Sequence, residues 1–238
     1  LLFAEGTLHG YDYDITPGAL AAAAETVDGA SCQRVHEIAS RHGITLLVGF
    51  FERDGDACYN THAVIAPGGL LGVQRKHCLT AGELKAGFSP GPRARTVFTF
   101  NGVRTAILIC ADTAIAGRYE LLREHEVQYT FIPTGGGGKF KDYLHEADLA
   151  TEEGLKRYAE NRPRVFNTDA VVAEVREHRL GWTTCNAMGR AGANTCHQGH
   201  SMIVDNNGLM RAQMPGTIVL EHQEDALIHA TLTFGETV

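Results

Sequence analysis

Four polar residues stand at or just beyond the ends of short apolar segments in this chain. They are Glu5, Lys76, Glu83 and Cys110. Strand ends on a rigid sheet are common positions for convergent catalytic groups. A thiol needs a base to become a nucleophile, and the oxyanion of an acyl-transfer intermediate needs a positive or N–H donor. A Glu, a Lys and a Cys that meet at one point therefore form a complete hydrolytic set. Each alone has an ordinary structural explanation, as a core thiol or a solvated charge.

The segment before Lys76 has the pattern of one helix followed by a three-stranded meander. Ser31 is a suitable N-cap for a helix with Val35 and Ala39 on its apolar side, and Gly43 is a suitable stop. Turn residues then separate three segments rich in β-branched and aromatic side chains. The predicted strands are 44–51, 59–66 and 70–75. The last of them ends directly before the lysine.

The rest of the chain predicts strands and helices in mixed order. Asn101-Gly102 is a strong hairpin signal, and the second strand of that hairpin ends at Cys110. Strands are predicted at 96–100, 103–109, 127–133, 182–185, 200–205, 209–213 and 226–232, and helices at 118–125, 151–161 and 169–178. Because strands and helices neither alternate strictly nor separate into two blocks, the pattern predicts sheets covered by helices in one layered domain.

Composition excludes several broad classes of protein. The 238 residues include 21 Lys and Arg against 28 Asp and Glu, which gives a formal net charge of −7. No cluster of basic and aromatic residues is present, so we expect no nucleic-acid partner. The content of 44% hydrophobic and 21% charged residues suits a packed core. The apolar runs are only of strand length, so we expect no membrane partner.

The six cysteines are dispersed and form no Cys-x-x-Cys pair, as is typical of reduced thiols in a cytoplasmic protein. Two groups contain residue types that bind zinc, but neither has the paired spacing of a structural zinc site. The groups are Cys196-His197 with His200, and His77-Cys78. We therefore expect no bound metal.

Short motifs surround the four polar residues and continue beyond them. They are Phe3-Ala4-Glu5 with Gly10-Tyr11, Gly49-Phe50-Phe51 before Tyr59-Asn60-Thr61, Arg75-Lys76 with Glu83 and Phe88-Ser89-Pro90-Gly91, Leu108-Ile109-Cys110-Ala111-Asp112, Val175-Arg176-Glu177-His178, Asn186 to Gly189, and Gly199-His200-Ser201-Met202-Ile203-Val204-Asp205 followed by Gly208. In this order and with these spacings they resemble the landmarks of the nitrilase superfamily of carbon-nitrogen hydrolases. The resemblance covers nearly the whole chain. No single motif is specific for the family, so the resemblance depends on their common order and spacing.

The resemblance implies a role for each of the four residues. Glu5 matches the general base of the family, and Cys110 matches its nucleophile. Lys76 matches the cationic stabiliser, and Glu83, seven positions later, matches the second glutamate that orients the substrate. The backbone N–H of Ala111 would hold the developing oxyanion together with the lysine.

Candidates for the substrate pocket come from two places: the segment directly after the nucleophile and the glycine run 135–138. These are Asp112, Thr113, Gly135 and Gly136. The run 135–138 precedes Lys139 but lacks the Ser or Thr of a phosphate-binding loop, so it favours a flexible loop beside the pocket.

The fold that the resemblance implies is α+β, a four-layer αββα sandwich of two mixed β-sheets flanked by helices. We expect residues 1–238 to form a single domain that lacks the first strand and helix of the family, because residues 1–4 have the pattern of the end of a buried strand. The resemblance further implies a homodimer or a higher homo-oligomer, and no cofactor.

The implied reaction is hydrolysis of a non-peptide carbon–nitrogen bond through a Cys thioester. The segment 112–117 lacks both the Phe-Pro-Glu found in many family amidases and the Cys-Trp-Glu-His pattern of true nitrilases. A small amide or N-carbamoyl compound is therefore favoured over a nitrile. The alternatives are a nitrilase, a glutaminase of the amidotransferase type, and a catalytically silent member that acts as a binding or assembly module.

Overall fold

The computed structural model describes residues 1–12, 14–139, 144–165, 168–191, 195–214, 219 and 226–234 of the 238-residue chain. Among these residues no helix is both long and apolar enough to cross a membrane.

The predicted meander is confirmed as an antiparallel three-stranded sheet, which we call the meander sheet. Its strands are β1 (Leu46–Asp54), β2 (Ala57–Ala66) and β3 (Gly69–Arg75). The first residues of the chain lie parallel to β1, where Phe3 N donates to Leu47 O at 2.9 Å. This pairing brings Glu5 to the same edge of the sheet as the end of β3.

A larger mixed sheet has six strands among the described residues. The remaining strands in chain order are β4 (Val97–Phe100), β5 (Val103–Ile107), β6 (Tyr129–Thr134), β7 (Gly137–Lys139), β8 (Gly181–Asn186), β9 (Met188–Arg190), β10 (Thr195–Gln198), β11 (Met202–Val204) and β12 (Met210–Gln213). The large sheet has the order β12-β11-β8-β6-β5-β4, and the pairs β5/β6 and β6/β8 are parallel. Strands β7, β10 and β9 form a separate short sheet in that order.

Six α-helices are described. They are α1 (Pro17–Ala23), α2 (Ala30–His42), α3 (Ala81–Ala86), α4 (Arg118–Glu124), α5 (Glu152–Val165) and α6 (Thr168–His178). Helices α2, α4, α5 and α6 match predicted helices, whereas α1 and α3 were not predicted.

Side chains that alternate along the strands build a four-layer arrangement. Residues on one face of β1 pack against α2, and the opposite face carries Leu47, which packs with Ile107 of β5. The other face of β5 carries Ala106, which packs with Leu122 of α4 and Val175 of α6. A period-two strand places successive side chains on opposite faces, so each sheet has one helix-covered face and one face shared with the other sheet. The α+β sandwich is confirmed.

Helix α2 begins differently from the prediction. Gly29 is the N-cap, and Ser31 lies inside the first turn. The Ser31 hydroxyl and backbone N–H donate to the two carboxylate oxygens of Glu25, so this side chain does not cap the helix. The predicted stop is confirmed, because Gly43 has a φ of 64°, which glycine adopts without steric penalty.

Two predictions of local structure were wrong. The described residues of 226–232 do not form a strand, because they have no ladder partner among the described residues; they line a cavity beside the large sheet, where Phe234 contacts Tyr129 edge to face. The glycine run was predicted as a flexible loop, but residues 137–139 form β7 and pair with β10. Four small residues in sequence do not prevent pairing when a neighbouring strand is available.

His62 lies between the two sheets and supplies the first testable prediction. Its side chain is fully buried, and neither ring nitrogen has a hydrogen-bond partner of good geometry among the described residues. Burial lowers the pKa of His62 to about 3, and a backbone contact with Leu47 opposes the shift only weakly. The unfolded chain, with an ordinary histidine pKa, binds the proton first as pH falls, so stability is full above about pH 6.5 and is lost below it. Between pH 7 and pH 5 this group alone should remove about 2 kcal/mol of unfolding free energy.

We therefore expect His62→Leu to lose less stability than the wild type over this pH interval, as measured by urea unfolding at both pH values. His42→Leu, at the exposed end of α2, is the matched control and should leave the pH dependence unchanged. Equal pH dependence in His62→Leu and wild type would contradict the prediction.

Candidate active site

Glu5, Lys76, Glu83 and Cys110 come from four separate segments and meet at one edge of the sandwich. Glu5 follows the residues paired with β1, and its backbone N–H donates to Thr134 O at the end of β6. Lys76 follows β3 directly and Cys110 follows β5, after Leu108 and Ile109. The structure thus brings together all four residues singled out from the sequence.

The Glu5 carboxylate is buried and held by three donors. Its Oε1 accepts from Lys76 Nζ at 2.7 Å and from Asn60 Nδ2 at 2.7 Å. Its Oε2 accepts from the backbone N–H of Gly135 at 2.7 Å. The orientation of both carboxylate oxygens is therefore fixed. A general base needs such a fixed orientation to take the proton of a thiol.

Lys76 and Glu83 form the other half of the cluster. Lys76 Nζ lies 2.9 Å from each carboxylate oxygen of Glu83, and the lysine side chain is wholly buried. Glu83 is the third residue of α3, where a capping box with Thr80 holds it: Thr80 N donates to Glu83 Oε2 at 2.8 Å, and Glu83 N donates to Thr80 Oγ1 at 3.2 Å. A local helix-start motif thus fixes the position of this carboxylate.

The environment separates the protonation behaviour of the two carboxyl groups. Burial raises the pKa of Glu5, and the nearby Glu83 raises it further, against the opposing charge of Lys76. Burial acts in the same direction on Glu83, but Lys76 and the Thr80 N–H outweigh it and leave the pKa of Glu83 lowered. Burial alone would lower the pKa of Lys76, yet the two carboxylates raise it. Glu83 and Lys76 thus remain charged while Glu5 is the group suited to exchange a proton.

Cys110 lies in a strained turn beside Glu5. Its φ is 48°, a conformation that residues other than glycine adopt infrequently, and it opens a 3₁₀ helix, Cys110–Ala114. Burial and the Glu5 carboxylate raise the pKa of the thiol to about 12, while Lys76 and the Gly135 N–H oppose the shift. The thiol is therefore protonated at neutral pH and needs a base, and its hydrogen bond with Glu5 supplies one.

The remaining predicted site residues lie close to this cluster but face different partners. Ala111 follows the nucleophile in the first turn of the 3₁₀ helix, and Thr113 Oγ1 donates to Cys110 O at 2.9 Å. Gly135 supplies the N–H that binds Glu5. Gly136 O accepts from Asn186 Nδ2 at 2.9 Å. These two glycines therefore contact protein groups through their backbones.

Asp112 is wholly buried, and its carboxylate accepts from four protein donors. The donors are His77 N at 2.9 Å, Cys78 N at 2.8 Å, Ile109 N at 3.2 Å and Arg95 Nη1 at 2.9 Å. This carboxylate joins the turn that carries the nucleophile to the loop that follows the lysine. We infer that it positions these two segments.

The Asp112 contacts supply a second prediction. Asp112→Ala should destabilise the fold by about 3 to 5 kcal/mol, because it leaves a buried Arg95 charge unpaired and removes the acceptor of three backbone N–H groups. Urea unfolding at neutral pH measures the change. The control is Glu37→Ala, which breaks an ion pair with Arg34 on the exposed face of α2 and should cost less than about 1 kcal/mol. Similar losses in the two variants would contradict the assignment.

Asn60 belongs to the cluster but was not singled out as a site residue. Its Nδ2 lies 2.7 Å from Glu5 Oε1 and 2.7 Å from Glu83 Oε1, so it bridges the two carboxylates. The signal in the sequence is that Asn60 lies in the Tyr59-Asn60-Thr61 motif, one of the landmarks of the resemblance, and the structure shows that its amide is buried in β2.

The cavities do not by themselves locate the reaction. One of about 730 Å³ is lined by Glu5, Tyr11, Asn186 and His197 among others, but its lining does not include Lys76 or Cys110. A larger one of about 800 Å³ lies against the large sheet, away from the cluster. The chemistry of the cluster, and not cavity size, therefore identifies the candidate site. Within the described part of the chain, no three His, Cys, Asp or Glu side chains are grouped to hold a metal ion.

Comparisons with known proteins agree with the fold and indicate the family. Residues 1–145 match the family model described as carbon-nitrogen hydrolase. A citrullinase from Francisella tularensis is 36% identical over 121 residues, 49% of this chain and 42% of that protein. A nitrilase from Pyrococcus abyssi is 29% identical over 43% of this chain and 39% of its own length. An (R)-stereoselective amidase from Pseudomonas is 26% identical over 67% of this chain and 56% of its own length. The chain thus spans roughly two fifths to just over half the length of these curated relatives.

A solved structure extends the match beyond residue 145. The amidase of Nesterenkonia AN1, from the nitrilase superfamily, superposes with a TM-score of 0.68 at 22% identity, over 90% of this chain and 72% of that one. At this identity the likeness concerns the fold, which is the same four-layer architecture derived above from strand pairing and packing.

Proposed function

Because the chain belongs to the carbon-nitrogen hydrolase family, we propose that it hydrolyses a non-peptide carbon–nitrogen bond in a small amide or N-carbamoyl compound, with Cys110 as the nucleophile. The observation that carries the proposal is the buried cluster in which Lys76 bridges Glu5 and Glu83 beside that thiol. A nucleophile, a base and a cation lie within one hydrogen-bonded group, as acyl transfer requires.

The first half of the reaction transfers the acyl group to sulfur. Cys110 Sγ attacks the carbonyl carbon as its proton passes to Glu5, and the carbonyl electron pair moves to oxygen. Lys76 and the Ala111 N–H hold that oxyanion. When the intermediate collapses, the carbon–nitrogen bond breaks, and Glu5 returns the proton to the leaving nitrogen. The raised pKa of Glu5 suits this step, because the group must hold a proton before it releases it.

The second half removes the acyl group with water. Glu5, again a carboxylate, takes a proton from a water molecule that attacks the thioester carbon, and the oxyanion site is used a second time. Collapse of this intermediate releases the acid and returns the thiol proton to sulfur. Glu83 keeps Lys76 charged throughout, because it stays ionised, and no cofactor takes part in the proposed steps.

A nitrile is the second candidate substrate, which the similarity to a nitrilase supports. The names of two other relatives, citrullinase and (R)-stereoselective amidase, favour an amide or carbamoyl compound.

A matched substrate panel separates the candidates. One alkyl group is offered as its primary amide, its N-carbamoyl amine and its nitrile, and ammonia, amine and acid are measured with the full chain. We expect turnover of the amide or the carbamoyl compound and none of the nitrile. Turnover of the nitrile alone would replace the proposal with a nitrilase. No turnover of any substrate, together with an unreactive Cys110, would replace it with a silent binding or assembly module.

A further inference from the structure

His197 lies on β10, remote in sequence from every residue of the catalytic cluster, and is 4% exposed. Its Nδ1 lies 2.9 Å from the carbonyl oxygen of Gly135, and its Nε2 lies 3.0 Å from the carbonyl oxygen of Tyr11. One ring therefore spans two backbone carbonyls that are 62 and 186 positions away in the chain.

Both carbonyls belong to segments that hold the candidate base. Gly135 follows β6, and its N–H donates to Glu5 Oε2 and also faces the Cys110 thiol. Tyr11 lies six positions after Glu5, and its ring lies 5.9 Å from Lys76 Nζ. The imidazole thus connects the segment that carries the base to the glycine whose N–H orients that base.

The packing around Gly135 leaves no space for a side chain at this position. A Cβ at this position would lie 2.9 Å from Tyr11 Cδ1 and 3.0 Å from Glu5 Oε2. Contacts at these distances force a neighbour to move. Only glycine therefore fits at this position without a shift of Tyr11 or Glu5, and the ring of His197 contacts the carbonyl oxygen of the same residue.

An imidazole is suited to this connection because it can donate from either end. A neutral ring donates from one nitrogen, and a protonated ring donates from both. Carbonyl oxygens accept only, so the ring binds at least one of the two carbonyls in either protonation state.

We propose that His197 is a positioning residue for the hydrolytic reaction: its ring forms a clamp between the Gly135 and Tyr11 carbonyls, donates to at least one of them, and so aims the Gly135 N–H at Glu5 and Cys110. The inference rests on the function proposed above. It concerns a side chain that does not touch the reacting atoms, so its effect must pass through the reactivity of the cysteine.

Two amide substitutions remove one end of the clamp at a time. In His197→Asn the side-chain nitrogen falls near the position of Nδ1 and can keep the bond to Gly135. In His197→Gln it falls near the position of Nε2 and can keep the bond to Tyr11. We expect kcat to fall about tenfold in the Gln variant, with KM within about twofold, and to fall less than about threefold in the Asn variant.

The second readout is the rate at which iodoacetamide labels Cys110 relative to the half-buried Cys58 of β2, followed by peptide mass spectrometry. The Gly135 N–H lowers the pKa of the Cys110 thiol, so its loss should slow labelling. We expect this ratio to drop about tenfold in His197→Gln and to stay near the wild-type value in His197→Asn. The ratio cancels differences in reagent and protein concentration, and the melting temperature of each variant shows whether its folded fraction has changed.

The control is His36→Asn, which removes a 3.2 Å contact between an exposed histidine of α2 and the Pro67 carbonyl and should change neither readout. Equal values in the Asn and Gln variants, or a lower melting temperature with an unchanged labelling ratio, would overturn the proposal and leave His197 as a structural residue. If the wild type hydrolyses no amide or carbamoyl compound, the proposed function fails, whereas the labelling ratios still test the clamp.

Discussion

We expect Cys110→Ala to lower kcat by at least about 10⁴-fold while the protein stays folded. Removal of a catalytic nucleophile leaves only the contributions of binding and of the oxyanion donors, and no other described group occupies the position of the thiol beside Glu5. The folding change should be small because the thiol is protonated at neutral pH, with its pKa raised to about 12, so the substitution removes no buried charge. Release of ammonia or amine from the substrate of the panel measures the loss, and thermal unfolding checks the fold.

Cys58→Ala is the matched control, because Cys58 is also half-buried and lies on β2, outside the cluster. It should retain full activity. Intact-mass measurement during turnover adds a second test: an acyl adduct should appear on the wild type and on Cys58→Ala but not on Cys110→Ala. More than about 1% residual kcat in the Cys110 variant would exclude a thioester mechanism at this residue.

The four residues of the cluster could be predicted because they and the short motifs around them resemble, in order and spacing, the landmarks of the nitrilase superfamily. Lys76 follows β3 directly, and Cys110 follows the buried residues after β5, strands that runs of apolar residues between turn signals predict. The supporting contacts could not be predicted. The bond from the Gly135 N–H to Glu5 joins residues 130 positions apart through a backbone group, which has no residue-type signal. The role of Asp112 depends on four donors that only the folded chain collects around it.

The strands of the meander sheet and helices α2, α4, α5 and α6 were predicted, whereas α1 and α3 were not. The strands of the meander sheet are seven to ten residues long, whereas α3 has six residues and is stabilised by a capping box that also holds Glu83. Residues 226–232 have strand-like composition without a neighbour to pair with among the described residues. Pairing is a property of the whole sheet, so composition alone was insufficient there.

The second large effect should come from Glu5→Gln, which we expect to lower kcat for the amide substrate by about 10² to 10⁴-fold. Glutamine has nearly the same shape but takes no proton from the thiol and gives none to the leaving nitrogen. Its side chain also has only one acceptor oxygen, whereas hydrogen-bond donors face both oxygens of the wild-type carboxylate. The wild-type carboxylate accepts from Lys76 and Asn60 at one oxygen and from the Gly135 N–H at the other, so either orientation of the amide places its NH₂ group against a donor.

The pH profile and the leaving group separate the chemical role of Glu5 from this local mismatch. Burial raises the pKa of Glu5, so the acid limb of the wild-type kcat/KM profile should lie above the pKa of an ordinary glutamate. Activity should rise along this limb as Glu5 loses its proton. The limb should be absent in Glu5→Gln. A nitrophenyl ester of the same acyl group needs no proton on its leaving group. The loss of kcat in Glu5→Gln should therefore be about tenfold smaller for the ester than for the amide. Glu5→Asp, which keeps a carboxylate but withdraws it by one methylene, should retain the acid limb with a reduced rate. If amide and ester turnover fall equally and the acid limb persists in Glu5→Gln, then the proton carrier is another group, and Glu5 acts only by holding Lys76 in place.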